Sequence, residues 1–255
     1  MRFVRTLLVA SLMAGAVPPC AARTLAVCMG DRAFPPLFFP DHEGQAQWLV
    51  RKAVERQGDL VTFAAVPWRR CLQGLRTGTY AAALPVIGNL SFLPDYAFPM
   101  DRLGIDPSRE LARVSHVVVR RVGSEADWDG DRFSHLGGPV LFPAGIVVVR
   151  EALAALGVAG DDGSAMEEQT LRKLLARKGD LAVIQSGVAE ELLARAEFHD
   201  KLEVLPQPLL TRPSYLAFNR AFHDADRGYA EAIWLEIKRL RGSPEWRALA
   251  PTLAH

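Results

Sequence analysis

The residues of this chain that could do chemistry are six scattered histidines, a few acidic doublets and three cysteines. Their spacing argues against most of it. His199-Asp200 and His223-Asp224 have the composition of a base and its orienting acid. Catalytic triads, however, are assembled by tertiary geometry, and neighbours on a loop usually point apart. Asp161-Asp162 and Glu167-Glu168 lack the glycine-spaced loop of oxygen ligands that calcium needs. They read as a solvated loop followed by a helix start, where carboxylates favour the N-terminal end of the dipole. No phosphate loop, dinucleotide glycine fingerprint, HExxH or nucleophile elbow is present. The sequence yields no catalytic residue, no metal site and no cofactor, and the chain is not expected to be an enzyme.

The N-terminus reads as an export signal over residues 1–22. Arg2 and Arg5 supply the positive region, and Leu7 to Val17 is an apolar run too short to span a bilayer with ease. Cys20-Ala21-Ala22 offers small residues for cleavage and puts the mature start near Arg23. Pro19 before Cys20 is a poor fit to a lipid-attachment box. The remainder, about 233 residues, suffices for one large domain or two small ones. Without Arg2 and Arg5, 28 basic residues face 29 acidic ones. That balance excludes nucleic acid or an anionic membrane surface as the expected partner. No second apolar run has spanning length, so the mature chain is expected to be soluble. Cys28 and Cys71 survive cleavage. In an exported chain an even pair suggests a disulfide, the alternative being two buried thiols. Two cysteines at this spacing with no nearby histidine do not make a zinc site.

The elements that must position these residues follow from periodicity. Thr24 to Cys28 is an apolar strand that opens into the loop Phe34-Pro35-Pro36-Leu37-Phe38-Phe39. From Gly44 to Gly58, Trp48, Leu49, Ala53 and Val54 share one helical face, and Gly58 fits a C-terminal cap. Leu60 to Val66 is a strand, followed by Pro67-Trp68-Arg69-Arg70-Cys71, a short helix and a small strand at Tyr80 to Leu84. Strand, helix, strand, helix, strand implies a parallel sheet with helices on its faces. A second unit begins near Ser115. It has strands at Val117–Val119, Val140–Phe142, Leu181–Ile184 and Leu202–Leu205, and helices at Ile146–Leu156, Glu167–Arg177 and Val188–Ala196. Gly123 to Asp131 reads as a loop. Tyr215–Phe218 is a strand, Tyr229–Leu240 a long helix, and Ser243-Pro244-Glu245-Trp246 begins a last helical turn.

This order, with Asp95-Tyr96-Ala97-Phe98-Pro99 after the third strand and Leu136-Gly137-Gly138 leading into Val140, resembles the bacterial extracellular solute-binding family 3. Its members include the polar amino-acid binders of ABC importers. The resemblance implies an α/β, two-lobe periplasmic-binding-protein-like fold of type II, each lobe a sheet flanked by helices, with two hinge crossings. Lobe 1 would be residues 23–114 plus 207–255 and lobe 2 residues 115–206. The crossings would lie near Val114–Val119 and Val204–Pro208, and closure about them would enclose a ligand. The resemblance also places Cys28 and Cys71 at one edge of the first sheet.

The cleft so implied lies beside Asp31, Arg32 and Phe34, with Trp68 at the end of the second strand, Pro85, Gly88 and Asn89 after the third, and Phe142, Ala144 and Gly145 at the turn of the second lobe. Aromatic walls with a few polar groups are what a small-molecule site requires, although Phe34, Phe38 and Trp68 would serve equally as core. Three departures from the amino-acid binders follow. The arginine that clamps the ligand carboxylate is missing from Asn89-Leu90-Ser91-Phe92-Leu93-Pro94. The acid that holds the ammonium is replaced near Gln185-Ser186. The hydroxyl at the second-lobe turn gives way to Gly145-Ile146. An ordinary α-amino acid is therefore not the expected ligand. Arg32, Arg69, Arg70 and Arg102 lie near the implied cleft; an arginine that entered it would favour an anionic or aromatic ligand.

The expectation is a periplasmic, monomeric binder of a small solute, without cofactor or nucleic acid, that delivers to an inner-membrane ABC permease. The alternative keeps the fold for a sensor or accessory protein that acts on a periplasmic partner. An enzyme on this fold would need a cleft acid or base, for which Asp31 is the one candidate.

Overall fold

The computed structural model describes residues 22–253. The export signal read at the N-terminus lies outside the described residues, save Ala22. The first half of the chain builds β1 (Thr24–Met29), α1 (Gln45–Glu55), β2 (Leu60–Ala65), α2 (Trp68–Thr77), β3 (Ala82–Ile87) and β4 (Tyr96–Ala97). The long strand β5 (Ala112–Arg121) follows. Next come β6 (Asp127–Trp128), β7 (Phe133–Ser134), β8 (Val140–Pro143), α3 (Val147–Ala155), β9 (Gly160–Ser164), α4 (Glu167–Leu175), β10 (Leu181–Gln185) and α5 (Ser186–Leu193). The 18-residue strand β11 (Leu202–Asn219) then leads into α6 (Arg220–Ala225), α7 (Arg227–Arg241) and α8 (Pro244–Leu249).

Among the described residues, nine strands join in one sheet of order β2-β1-β3-β11-β5-β10-β8-β9, with β4 added against β11. β1 is parallel to β2 and β3, and β8 is parallel to β9 and β10, so each end of the sheet is a parallel unit. β5 and β11 are antiparallel and run through both units.

The packing divides in two along these strands. Trp48, Leu49, Ala53 and Val54 of α1 meet Ile233, Trp234 and Ile237 of α7 over one face of the β1 unit. Leu75, Tyr215 and Phe98 fill the other face with the two cysteines. Val118, Phe142, Leu153 and Leu210 form one core of the second unit, and Val119, Leu171, Ile184 and Leu192 its opposite one. Val114 and Leu216 belong to the first unit and Val118 and Leu210 to the second. β5 therefore passes between cores at 115–116 and β11 at 211–214, later than the Val204–Pro208 expected from sequence. The Ser115 and Thr211 hydroxyls pair at 2.9 Å at that passage.

Several elements differ from the sequence expectation. The two strands read at Leu202–Leu205 and Tyr215–Phe218 are one, because Pro208 sits at a register irregularity and does not end the ladder. The third strand starts at Ala82, after Gly78 in the left-handed region and after Tyr80 has packed its ring on Gly74. The doublet Asp161-Asp162 lies on edge strand β9, not a free loop. Asp161 holds Lys173 at 2.7 Å and Asp162 pairs with Arg150, so the charges are balanced at the edge. His199 and His223 do contact the adjacent aspartate, each through Nδ1 at 2.9 Å. No helix among the described residues is long and apolar enough to cross a membrane.

Candidate functional site

Ligands of open α/β sheets bind outside the carboxyl ends of the strands. In the first lobe those ends release three segments: Gly30–Phe39 after β1, Val66–Arg70 after β2, and Gly88–Leu90 after β3. β1 and β2 end level, Met29 opposite Ala65, and Val66 N–H donates to Met29 O at 3.1 Å. The Cys28–Cys71 disulfide, with Cα atoms 5.5 Å apart, ties the start of α2 to the end of β1. It holds Arg69 and Arg70 on the same edge as Arg32.

Asp31, Arg32, Arg69 and Arg70 are exposed, and Trp68 is 37% exposed as the first residue of α2. None of Arg32, Arg69 and Arg70 has a carboxylate within ion-pair distance among the described residues, whereas Arg51, Arg109, Arg120 and Arg172 each do. Two cations in the first turn of α2 face the positive end of its own dipole. No acid in that turn offsets them. Arg102, on the loop between Met100 and Ile105, is also exposed.

The segment after β3 is committed to packing. Pro85 is half-buried in β3. A Cβ on Gly88 would meet the Tyr215 ring at 2.7 Å, so the glycine makes room for that ring. Asn89 Oδ1 accepts from Ser91 N at 3.0 Å and from Ser91 Oγ at 2.9 Å, which caps the short turn Leu90–Phe92.

In the second lobe the strand ends are Pro143, Ser164 and Gln185. Ala144 and Gly145 are exposed at the turn into α3, where Gly145 has φ +86° and open space beside it. Phe142, in contrast, is buried in the core against the position a Gly160 side chain would occupy. Two surface grooves of about 330 and 450 Å³ lie on this lobe, the first lined by Phe142, Arg150 and Asp162 and the second by Arg121, Arg177 and Lys201. Neither includes the turns at Gly145 or Gln185, and both are set aside as sites in favour of the strand-end edge.

Sequence reasoning named Gln185 and Pro35 and missed that the lobes touch through them. Gln185 is 4% exposed. Its Nε2 donates to Pro35 O at 3.3 Å, and its Oε1 accepts from Val188 N at 2.8 Å, capping α5. Gly187 lies against the same Pro35 carbonyl. The loop after β1 thus faces the β10–α5 turn, and both atoms of the Gln185 amide are taken. A glycine in the first turn of a helix, where it costs helix stability, was the available signal. Below this contact, the centre of β5 carries His116, paired in register with Gln185 on one side and Leu210 on the other. It is 4% exposed, its Nδ1 has no hydrogen-bond partner, and burial pushes its imidazole down to about 4.

No family model matches this sequence, and no curated protein does. Solved structures do. The ligand-binding core of GluR0 from Nostoc punctiforme, in complex with L-glutamate, is similar with a TM-score of 0.67 and 14% identity over 90% of this chain and 98% of that one. A histidine kinase sensor domain with similarity to periplasmic binding proteins gives 0.68 and 18% identity over 91% and 96%. An amino-acid ABC transporter substrate-binding protein from Streptococcus pneumoniae, bound to L-arginine, gives 0.65 and 13% identity over 90% and 94%. With two parallel sheet units joined by two shared strands, and with these neighbours, the chain has the two-lobe α/β fold of the periplasmic binding proteins.

Proposed function

We propose that this chain is an exported, periplasmic protein that binds a small anionic solute between its lobes and presents it to an inner-membrane ABC permease. The observation that carries the reading is the meeting of strand ends from both lobes at one edge, marked by the approach of Pro35 to Gln185 across 150 residues of sequence. The ligand class rests on Arg32, Arg69 and Arg70, which stand at that edge without carboxylate partners, with Trp68 beside them as an apolar wall. An ordinary α-amino acid fits poorly. Gln185 occupies the region from which the family's acid would bind the ammonium, and its amide is engaged at both ends. The lobes would be residues 23–114 with about 211–255, and about 115–210, the boundary on β11 drawn where the packing changes core. The binding set would be Asp31, Arg32, Phe34, Trp68, Arg69 and Arg70 from the first lobe, Ala144 and Gly145 from the second, and Asn89 at the margin. The protein acts without catalysis and as a monomer.

The test is a thermal-shift screen of the purified protein against organic acids, aromatic acids, amino acids, sugars and polyamines. A ligand at about one hundred times its dissociation constant adds roughly 2.7 kcal/mol, a shift of several degrees for a chain of this size. The expected result is a shift with an acid that is lost in the double variant Arg69→Gln, Arg70→Gln. A shift with plain α-amino acids alone would refute the ligand class. A second reading, a sensor or accessory protein acting on a periplasmic partner, is favoured by the direct lobe-to-lobe contact. No shift from any compound would move the weight there.

A further inference from the structure

We propose that the two lobes latch onto each other without a ligand, through a receptor on α5 for the chain's own Pro35 carbonyl. The proposal takes from the functional reading only its hinge, and concerns the open–closed equilibrium of the empty protein.

The first-lobe side of the latch is a braced loop. Phe34 O accepts from Leu37 N at 2.8 Å and Phe38 N at 3.2 Å. Pro36 O accepts from Gln45 N at 3.0 Å and Leu37 O from Ala46 N at 2.7 Å, so the first turn of α1 uses up the next two carbonyls. Phe34 and Phe38 stack with centroids 5.7 Å apart. Buried Gln47 clamps Phe39 through both its amide atoms, at 3.0 and 3.1 Å. In this run of four carbonyls, Pro35 O alone is turned to the other lobe.

The second-lobe side is matched to it. Gln185 Nε2 donates to Pro35 O while its Oε1 is pinned by Val188 N, which fixes the amide orientation. The first turn of α5 brings the positive end of its dipole to the carbonyl oxygen. Gly187 lets the backbone come this close. A Cβ there would lie 2.1 Å from Pro35 O and 2.8 Å from its carbonyl carbon. Any side chain at 187 forbids the contact unless the lobes part. One N–H of the Gln185 amide is therefore held by the protein itself, and a solute that needs that N–H has to displace Pro35.

The test is small-angle X-ray scattering of the ligand-free protein, wild type against Gly187→Ala and Gln185→Asn. Alanine is the better helix former at 187, so α5 is retained while the contact is blocked. Asparagine still caps α5 but no longer reaches Pro35. The wild type is expected to scatter as the closed form. Gly187→Ala should enlarge the radius of gyration, with the open-to-closed ratio rising by about two- to tenfold, the change that one lost hydrogen bond carries. Gln185→Asn should move the same way, by less. A ligand-free wild type that already scatters as the open form overturns the latch. So does Gly187→Ala with unchanged scattering. Circular dichroism checks the fold, and if Gly187→Ala unfolds, unchanged scattering of Gln185→Asn decides against the proposal. The solute reading fails separately: an opened Gly187→Ala with no thermal shift from any compound keeps the latch and removes the solute.

Discussion

Acid should weaken this protein through His116. The imidazole sits on β5 at the passage between the lobes, buried, with Nδ1 unpartnered, and its register neighbours Gln185 and Leu210 carry no charge. Burial lowers its pKa from 6.5 to about 4. Between those values the unfolded chain binds a proton that the folded chain refuses, so stability falls as pH falls through that window and the loss is complete below about 4. At about 1.4 kcal/mol per pH unit, the loss reaches roughly 2.5 kcal/mol by pH 4.5. The assay is urea unfolding of the wild type and His116→Leu at pH 7.0 and 4.5. The variant should stay within about 1 kcal/mol of wild type at pH 7, since no hydrogen bond of Nδ1 is lost. It should lack most of the acid-induced loss. Equal losses in the two proteins would refute the reasoning, because the difference between them isolates this one residue.

Trp68→Ala should weaken solute binding with little change in unfolding temperature, since the ring is partly exposed at the head of α2; an unchanged affinity would displace the cleft. Cys28→Ser with Cys71→Ser should lower stability by about 4 kcal/mol for a bridge over 43 residues, read by denaturant unfolding. Free-thiol labelling of the unfolded, unreduced protein should find neither cysteine. Gly88→Ala should destabilise by about 1–3 kcal/mol, because its methyl group would enter the space of the buried Tyr215 ring; a neutral result would show that the ring yields.

Much of the architecture was legible because local rules and packing agree. The apolar spacing of Trp48, Leu49, Ala53 and Val54 specified α1, and Gly58 does adopt the positive φ of a helix end. The β-branched and aromatic run after Gly58 specified β2. Where local chemistry conflicted with sheet pairing, reading along the chain failed. Gly160-Asp161-Asp162-Gly163-Ser164 has almost no strand propensity, yet it pairs with β8 because Lys173 and Arg150 balance its carboxylates. The stretch was read as two strands, Leu202–Leu205 and Tyr215–Phe218, but one ladder runs through both and absorbs Pro208 at an irregularity.

The sequence by itself determined the composition of the candidate site: a first strand opening into an aromatic-proline loop, arginines beside Trp68, the pair Cys28 and Cys71, and a glutamine at position 185. Residue type settles these, since charge, aromatic surface and thiol chemistry travel with the side chain. Only the tertiary structure decided which groups meet. Gln185 and Pro35 are 150 positions apart, and neither has a local feature that names the other. Their contact exists because β5 and β11 carry one sheet through both lobes and set the two strand-end edges face to face. The same geometry buries His116, a residue whose type predicts a titration near neutrality and whose surroundings move it to about 4.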